Sequence, residues 1–117
     1  MAIEKVLAGV AVYDFDSARG WYGRLLGRAP DAEPMEGLAE WHPSEHGGIQ
    51  LLEDGERAGS SLVTVVVDGL DERLATLEAE GIAAGPIVGT AGLVRAATVA
   101  DPEGNQITFA EYLTDEG

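Results

Sequence analysis

Two stretches of the chain follow the same plan, and this near-repeat constrains the fold more than any other feature. The first, VLAGVAVYDFDSARGWYGRLLGRAP, begins at Val6, and the second, SLVTVVVDGLDERLATLEAEGIAAGP, begins at Ser61. Each contains an apolar strand, an Asp-containing turn, an amphipathic helix, and then glycine and proline. Further short strands follow each helix, so each half is predicted to be strand–helix–strand–strand–strand.

Tandem copies of this unit indicate a single α+β domain, because the chain of 117 residues has the size of one compact domain. Module 1 is expected over about residues 1–56 and module 2 over about residues 57–117. Each helix must cover one face of a sheet. The opposite faces are left to cover each other or to line a cavity, so a pocket between them is plausible.

The helix of each module shows one apolar stripe and recognisable ends. In the first helix, apolar residues at helical spacing run from Ala18 to Leu26. Asp16 or Ser17 is predicted to cap the N-terminus of this helix. Asp71 is predicted to cap the second helix in the same way. The later strands are predicted near residues 37–42, 48–53, 87–89, 94–100 and 106–112.

The charge balance limits the partners that the chain can attract. The chain has seven Lys and Arg residues and 21 Asp and Glu residues, which gives a net charge of −14. Phosphate backbones and anionic membranes repel such a surface, so neither nucleic acid nor a membrane is expected as a partner. A cationic ligand would be attracted, although acidic residues also simply keep a protein soluble. No secretory signal or spanning segment is apparent, and a cytoplasmic location is expected.

The opening stretch VAVYDFDSARGWYGRLLG resembles the signature of the glyoxalase / bleomycin-resistance / extradiol-dioxygenase (vicinal oxygen chelate) superfamily. The closing stretch ADPEGNQITFAE is similar to the final hairpin of that superfamily. The resemblance implies paired βαβββ modules, sheets that curl into a cleft, and a homodimer. The positions that match the opening signature are Asp14, Trp21, Tyr22, Leu26 and Gly27.

Enzymes of this superfamily usually hold a divalent metal with about four side chains from the inward faces of particular strands. By the resemblance, those positions fall here on Leu7, Gln50, Leu62 and Thr108. Leucine offers no donor atom and threonine is a poor ligand, so one glutamine would have to hold the ion. The prediction is therefore that the chain has no metal centre of the usual kind and no cofactor.

The inward faces that the resemblance implies carry small and apolar side chains with a few hydrogen-bonding groups, as small-molecule sites usually do. Trp41 is a further candidate: it either faces the cleft as a stacking surface for a flat or cationic ligand, or packs against the sheet. With Trp41, the candidate ligand-binding residues are Leu7, Gly9, Gln50, Leu52, Leu62, Thr64, Thr108, Ala110 and Tyr112, and alternation adds Ala11 and Val66.

Both histidines lie in a second motif, WHPSEHGG, in which His42, Glu45 and His46 spell H-x-x-E-H. Zinc binding by such a motif requires both imidazoles on one helical face. Proline and glycine flank the histidines, so a solvated loop is expected instead. Arg95, a cation on a predicted strand, is expected at the surface, with pairing to an anionic ligand as the alternative.

Carboxylate pairs for acid–base chemistry are the remaining candidates. Asp14, Asp16, Asp68 and Asp71 all lie just before predicted helices. Helix capping and the helix dipole account for such positions better than catalysis. No catalytic residue is therefore assigned.

The leading functional hypothesis is a metal-free protein that binds a small molecule, of a cationic or aromatic kind, and sequesters a drug or metabolite. The alternative is an enzyme: a metal-dependent lyase, isomerase or dioxygenase with a non-standard site, or a metal-free catalyst that uses Gln50, Thr108 or Tyr112. A third hypothesis is a structural or regulatory dimer that binds no ligand.

Overall fold

The computed structural model describes residues 2–113 and contains two four-stranded mixed sheets, each accompanied by one helix. The elements, in chain order, are β1 (Val6–Val12), α1 (Phe15–Leu26), β2 (Ala32–Met35), β3 (Leu38–Trp41), β4 (Gly47–Glu53), β5 (Leu62–Val66), α2 (Leu70–Ala79), β6 (Val88–Thr90), β7 (Val94–Ala100) and β8 (Gln106–Tyr112). The strand orders are β1-β4-β3-β2 and β5-β8-β7-β6. The predicted α+β fold of paired βαβββ modules is confirmed.

The same pairing scheme is used in both sheets. The first strand of each module pairs parallel with the last, β1 with β4 and β5 with β8, and the other pairs are antiparallel. Only β2 has no counterpart among the strand ranges predicted from the sequence. It is a four-residue edge strand that contains Pro34, and proline weakens the strand signal while it is tolerated at an edge.

Helix α1 begins earlier than the sequence predicts. Asp14 is the N-cap, and its Oδ1 accepts a hydrogen bond from the backbone N–H of Ser17 at 3.2 Å. The predicted caps, Asp16 and Ser17, instead lie in the first turn, because Phe15 is buried and starts the apolar face of the helix. The buried face of α1 consists of Phe15, Ala18, Trp21, Tyr22 and Leu25.

Helix α2 also differs at its N-terminus from the prediction. Its N-cap is Gly69, which has φ of 87° and no side chain to accept a capping hydrogen bond. Glu111 on β8 replaces that cap: its Oε2 accepts from the N–H groups of Gly69 at 2.9 Å and Leu70 at 3.3 Å. Asp71 is therefore not the cap but a first-turn residue paired with Arg95. Neither helix within residues 2–113 is long and apolar enough to cross a membrane.

Both helices pack onto the same core, which leaves one face of each sheet uncovered. Helix-facing strand residues such as Val10, Ile49 and Phe109 are almost fully buried and join α1 and α2 in one apolar cluster. The alternating residues on the other side point away from the helices. We call these two surfaces the open face of the first sheet and the open face of the second sheet.

A buried turn at the start of β8 ties module 2 to module 1. Asn105 is fully buried, and its Nδ2 donates to Ala11 O at 3.0 Å and to Asp101 Oδ2 at 2.8 Å. Its Oδ1 accepts from the N–H of Ser61 at 2.8 Å, while Ser61 Oγ accepts from the N–H of Ala11 at 3.2 Å. The Tyr22 hydroxyl donates to Asp101 Oδ2 at 2.8 Å. The turn motif is therefore a structural junction.

Glu103 of the same turn adds a second connection. Its two carboxylate oxygens accept from the N–H groups of Tyr13 at 2.6 Å and Asp14 at 3.0 Å, just ahead of α1. Gly59 lies against this turn with φ of 89°, and a Cβ there would be 2.7 Å from Glu103 O. The close approach therefore requires glycine.

Candidate functional site

The open face of the first sheet gathers several predicted ligand residues around Gly48. A Cβ on Gly48 would lie 2.9 Å from Leu7 Cδ2 and 3.1 Å from His42 Cδ2, and would clash with the Trp41 carbonyl oxygen. Glycine thus lets the Leu7 and His42 side chains both lie close to the backbone of this strand. Leu7, Gln50 and Leu52 are half-buried on this face, and Gly9 is exposed opposite Gln50.

A carboxylate that the sequence analysis did not single out lies at the centre of this open face. Glu40 lies opposite Gln50 in the β3–β4 pair. Gln50 Nε2 donates to Glu40 Oε2 at 3.1 Å, and His42 Nε2 lies 3.0 Å from Glu40 Oε1. These hydrogen bonds, first that of Gln50 and then that of His42, hold the pKa of Glu40 below its ordinary value. Glu40 is thus a fixed, charged acceptor with a side chain only 15% exposed.

The H-x-x-E-H motif divides between this group and the solvent. Residues 42–46 form a loop, as predicted, and the side chains of Glu45 and His46 are 87% and 79% exposed. His42 corrects the prediction, because it turns onto the open face and its side chain is 24% exposed beside Glu40. Its backbone N–H is held by Asp31 Oδ2 at 2.7 Å.

The open face of the second sheet is mainly apolar and more exposed. Leu62 is 78% exposed, and Thr64 is also exposed. Thr108 is half-buried, and its Oγ1 lies 2.8 Å from Thr98 Oγ1 on the neighbouring strand. Ala110 is buried and Tyr112 is 47% exposed. This surface offers apolar contact together with the hydroxyl groups of Thr64, Thr98 and Thr108.

Trp41 does not join the predicted ligand-binding residues. It lies opposite Ile49 in the β3–β4 pair, and both side chains point to the helix-covered side. The indole is fully buried, and its Nε1 donates to Arg28 O at 2.9 Å. Its ring centroid is 6.4 Å from that of Tyr22. Trp41 is therefore a core residue that packs against the sheet, and the prediction that it contacts a ligand is wrong.

Arg95 is engaged by carboxylates of its own chain. Its Nη2 lies 2.8 Å from Asp71 Oδ1 and its Nη1 lies 3.3 Å from Glu111 Oε1. The same contacts lower the pKa of Asp71 and raise that of Arg95. This arrangement supports the surface interpretation of Arg95 and leaves little of its charge for an anionic ligand.

A cavity of about 480 Å³ lies between the modules, away from most of the predicted ligand residues. Of the predicted ligand-binding residues, Thr64 lines it, together with Val66 from the alternation set. Its apolar lining includes Ala8, Leu26, Ile49, Val63, Val65 and Phe109. Arg73, Asp68 and Ser44 are among its polar lining residues. Sequence patterns give no signal for this cavity, because its wall is assembled from both modules.

Comparison with known proteins places the chain in a family. No family model matches it, and no curated protein is significantly similar. Among solved structures, a glyoxalase/bleomycin resistance protein from Catenulispora acidiphila is 37% identical, covers 92% of this chain and 97% of its own, and superposes with a TM-score of 0.86. The chain belongs to the glyoxalase/bleomycin resistance family.

Other solved structures share the fold at lower identity. An antibiotic binding protein from a Streptomyces species is 25% identical, with 96% and 98% of the two chains covered and a TM-score of 0.77. A lactoylglutathione lyase from Agrobacterium tumefaciens is 16% identical, with 91% of each chain covered and a TM-score of 0.75. The second likeness is one of fold alone.

The four positions where the glyoxalase/bleomycin resistance resemblance places metal ligands do not fit a divalent ion in this chain. Leu7 and Leu62 have no donor atom. The amide nitrogen of Gln50 is bonded to Glu40, and the Thr108 hydroxyl is bonded to Thr98. Within residues 2–113, no three His, Cys, Asp or Glu side chains cluster as they would around a metal.

Proposed function

We propose that this member of the glyoxalase/bleomycin resistance family binds a small molecule without a metal and sequesters it, as a drug or metabolite. The observation that carries the proposal is the donor chemistry at Leu7, Gln50, Leu62 and Thr108, which does not suit a divalent ion. The antibiotic binding relative at 25% identity supports small-molecule binding. The lack of cysteine fits a reducing compartment, and we place the protein in the cytoplasm.

We propose further that the ligand carries a cationic group on a flat or apolar body. The Glu40 carboxylate is fixed by two donors and its side chain is only 15% exposed, so a cation beside it would be less screened than at an exposed site. Leu7 and Leu52 on the same face offer apolar contact. The net charge of −14 attracts a cation from solution.

We propose that the protein is a homodimer in which a second copy covers the open face of the second sheet. Leu62, Val66, Val88 and Tyr112 on this sheet are 78%, 58%, 62% and 47% exposed. Contiguous exposed apolar surface of this kind marks interaction sites in soluble proteins. Two copies would also bring open faces together around a ligand.

Titration calorimetry with benzamidine, which carries an amidinium on a phenyl ring, tests the proposed function. Its neutral counterpart benzamide serves as the ligand control, and the protein is treated with a chelator beforehand. We expect benzamidine to bind with Kd below about 1 mM and benzamide to bind about tenfold more weakly. Glu40→Gln should weaken benzamidine binding about tenfold or more.

Glu45→Gln is the matched protein control, because it removes the same charge from a side chain that is 87% exposed in the neighbouring loop. It should leave benzamidine binding unchanged. Equal affinities for benzamidine and benzamide, or an equal effect of both substitutions, would contradict the proposed cation site. If no compound of a wider cationic and aromatic panel binds below about 1 mM, the structural-dimer hypothesis takes its place.

One observation favours the alternative of a metal-dependent enzyme with a non-standard site. Glu40, His42 and Gln50 bring a carboxylate, an imidazole and an amide together on one open face. These are chemical types that bind Zn²⁺ or Mn²⁺. Tight binding of either ion to chelator-treated protein, lost in both Glu40→Gln and His42→Ala, would establish this alternative.

A further inference from the structure

The cavity between the two modules shares Gly48 with the open face of the first sheet, but its lining excludes Glu40, Gln50 and Leu7, so its polar groups differ from those of the cation site proposed there. We infer that this cavity binds a small monocarboxylic acid with a compact apolar body, and that Arg73 holds the carboxylate. This ligand class is opposite in charge to the one proposed for the open face. The two proposed sites therefore bind different ligands and can be tested independently.

Arg73 differs from the other arginines in what it contacts. The chain has three times as many acidic as basic residues, and the other five arginines each donate to a protein oxygen. Their acceptors are Glu33 for Arg19, Glu80 O for Arg24, Asp31 for Arg28, Asp54 for Arg57 and Asp71 for Arg95. Across residues 2–113, no hydrogen bond or ion pair is formed by the Arg73 guanidinium.

The guanidinium of Arg73 lies near an aromatic ring. Its Cζ lies 6.0 Å from the centroid of the Phe109 ring, and both residues line the cavity. Arg73 is half-buried on α2. A contact with a ring at this distance uses none of the N–H groups of the guanidinium, and these donors match the two oxygens of a carboxylate. The free donors thus lie beside apolar walls.

The rest of the lining is mainly apolar and favours a ligand whose remaining atoms are apolar and compact. The volume of about 480 Å³ lies within the range of small-molecule sites. Ala8, Leu26 and Ile49 from module 1 face Val63 and Val65 from module 2 across this space. An apolar group placed there would be removed from water, which favours binding in proportion to the area buried.

Asp68 limits the negative charge that a ligand in this cavity can carry. Its carboxylate lines the same cavity but is exposed, whereas Arg73 is half-buried. A ligand carboxylate would pair with the guanidinium of Arg73, and the negative charge of Asp68 would oppose a second negative charge on the ligand. A monocarboxylate therefore fits this lining better than a phosphate or a dicarboxylate.

Titration with 3-phenylpropionate tests the inference, with 3-phenylpropylamine as a probe of similar shape and opposite charge. We expect 3-phenylpropionate to bind the wild-type protein and Arg73→Gln to weaken this binding about tenfold or more. Arg73→Lys keeps the charge but loses the fork of donors, so it should give an intermediate loss. Backbone amide NMR signals of Val65 and Phe109 should shift on binding.

Arg57→Gln is the matched control, because Arg57 is 83% exposed, lies outside the cavity lining and carries the same charge. It should not change the affinity for 3-phenylpropionate. The inference is overturned if both glutamine variants bind equally, if the amine binds as tightly as the acid, or if neither probe binds. Unfolding midpoints in urea confirm that each variant is folded.

Two further variants separate this site from the open-face site. Ser44 lies on an exposed loop at the cavity wall. Ser44→Trp should block the binding of 3-phenylpropionate because the larger side chain fills the cavity, while the charge of Arg73 is unchanged. Glu40→Gln should leave 3-phenylpropionate binding intact while it weakens benzamidine binding. If only the test of the carboxylate site fails, the proposed function is not contradicted. If only the test with benzamidine fails, the inference about the carboxylate site is not contradicted.

Discussion

The hydroxyl of Tyr22 on α1 donates a 2.8 Å hydrogen bond to Asp101 Oδ2, across a separation of 79 residues. Both residues are buried, and the carboxylate also accepts from three N–H groups of Glu103 and Asn105. One hydroxyl of module 1 is thereby bound to the turn that closes module 2. The aromatic Tyr of the opening motif and the Asp of the closing motif are thus direct partners.

Tyr22→Phe should lower the free energy of unfolding by about 1–3 kcal/mol, because it leaves a buried carboxylate without one of its donors. Urea unfolding followed by tryptophan fluorescence measures the change. Tyr112→Phe is the control, since Tyr112 is 47% exposed, and it should change stability by less than about 0.5 kcal/mol. Equal effects of the two substitutions would contradict the importance of the junction.

The same hydrogen bond predicts a dependence of stability on alkaline pH. Burial, followed by the hydrogen bond to Asp101, raises the pKa of Tyr22 far above its ordinary value of 10.0. A group whose pKa is raised in the folded state contributes stability that is fully present below its unfolded pKa. Stability should therefore fall as pH rises above about 10, and less so in Tyr22→Phe, when unfolding is measured between pH 8 and 11.

Glu111→Ala should destabilise α2 by about 1 kcal/mol, because the carboxylate caps the N–H groups of Gly69 and Leu70 in place of a local side chain. The measurement is urea unfolding of the variant beside Glu78→Ala, which alters an exposed position of the same helix. No loss of stability relative to that control would show that the cap contributes nothing.

Leu62→Asp should convert the proposed dimer to a monomer, because it places a charge on the exposed apolar surface of the second sheet. Light scattering after size-exclusion chromatography gives the mass directly. Ile3→Asp changes a residue that is 76% exposed outside the sheets and should leave the mass unaltered. A monomeric wild-type protein would refute the dimer itself.

Strand alternation, counted from the positions that the family resemblance implies, assigns each strand residue to one face of its sheet, because the two-residue period fixes every side chain once one position is anchored. The relative placement of Leu7, Gln50, Leu62 and Thr108 away from the helices follows from that rule. Trp41 could not be assigned in this way. Its strand has four residues, and only its pairing with β4 shows which face the indole occupies.

The sequence alone does not show which side chains form hydrogen bonds with residues that are distant along the chain. Glu111 caps a helix that begins 41 residues earlier in the chain, so Asp71 seemed the natural cap. Glu40 gains its role only from neighbours on a paired strand and a loop. The intermodule cavity depends on how the two modules pack against each other, which no local pattern encodes.

The residues that stabilise the junction at the closing turn are different from the residues on the two open faces. Tyr22, Asp101 and Asn105 are buried at the junction, whereas Leu7 and Leu62 lie on faces that no helix covers. Mutations on the open faces therefore change the surface offered to a ligand without disturbing the junction. Such a scaffold is well suited to acquire new ligands by random variation, and libraries randomised at the open faces should keep the fold while they diversify what is bound.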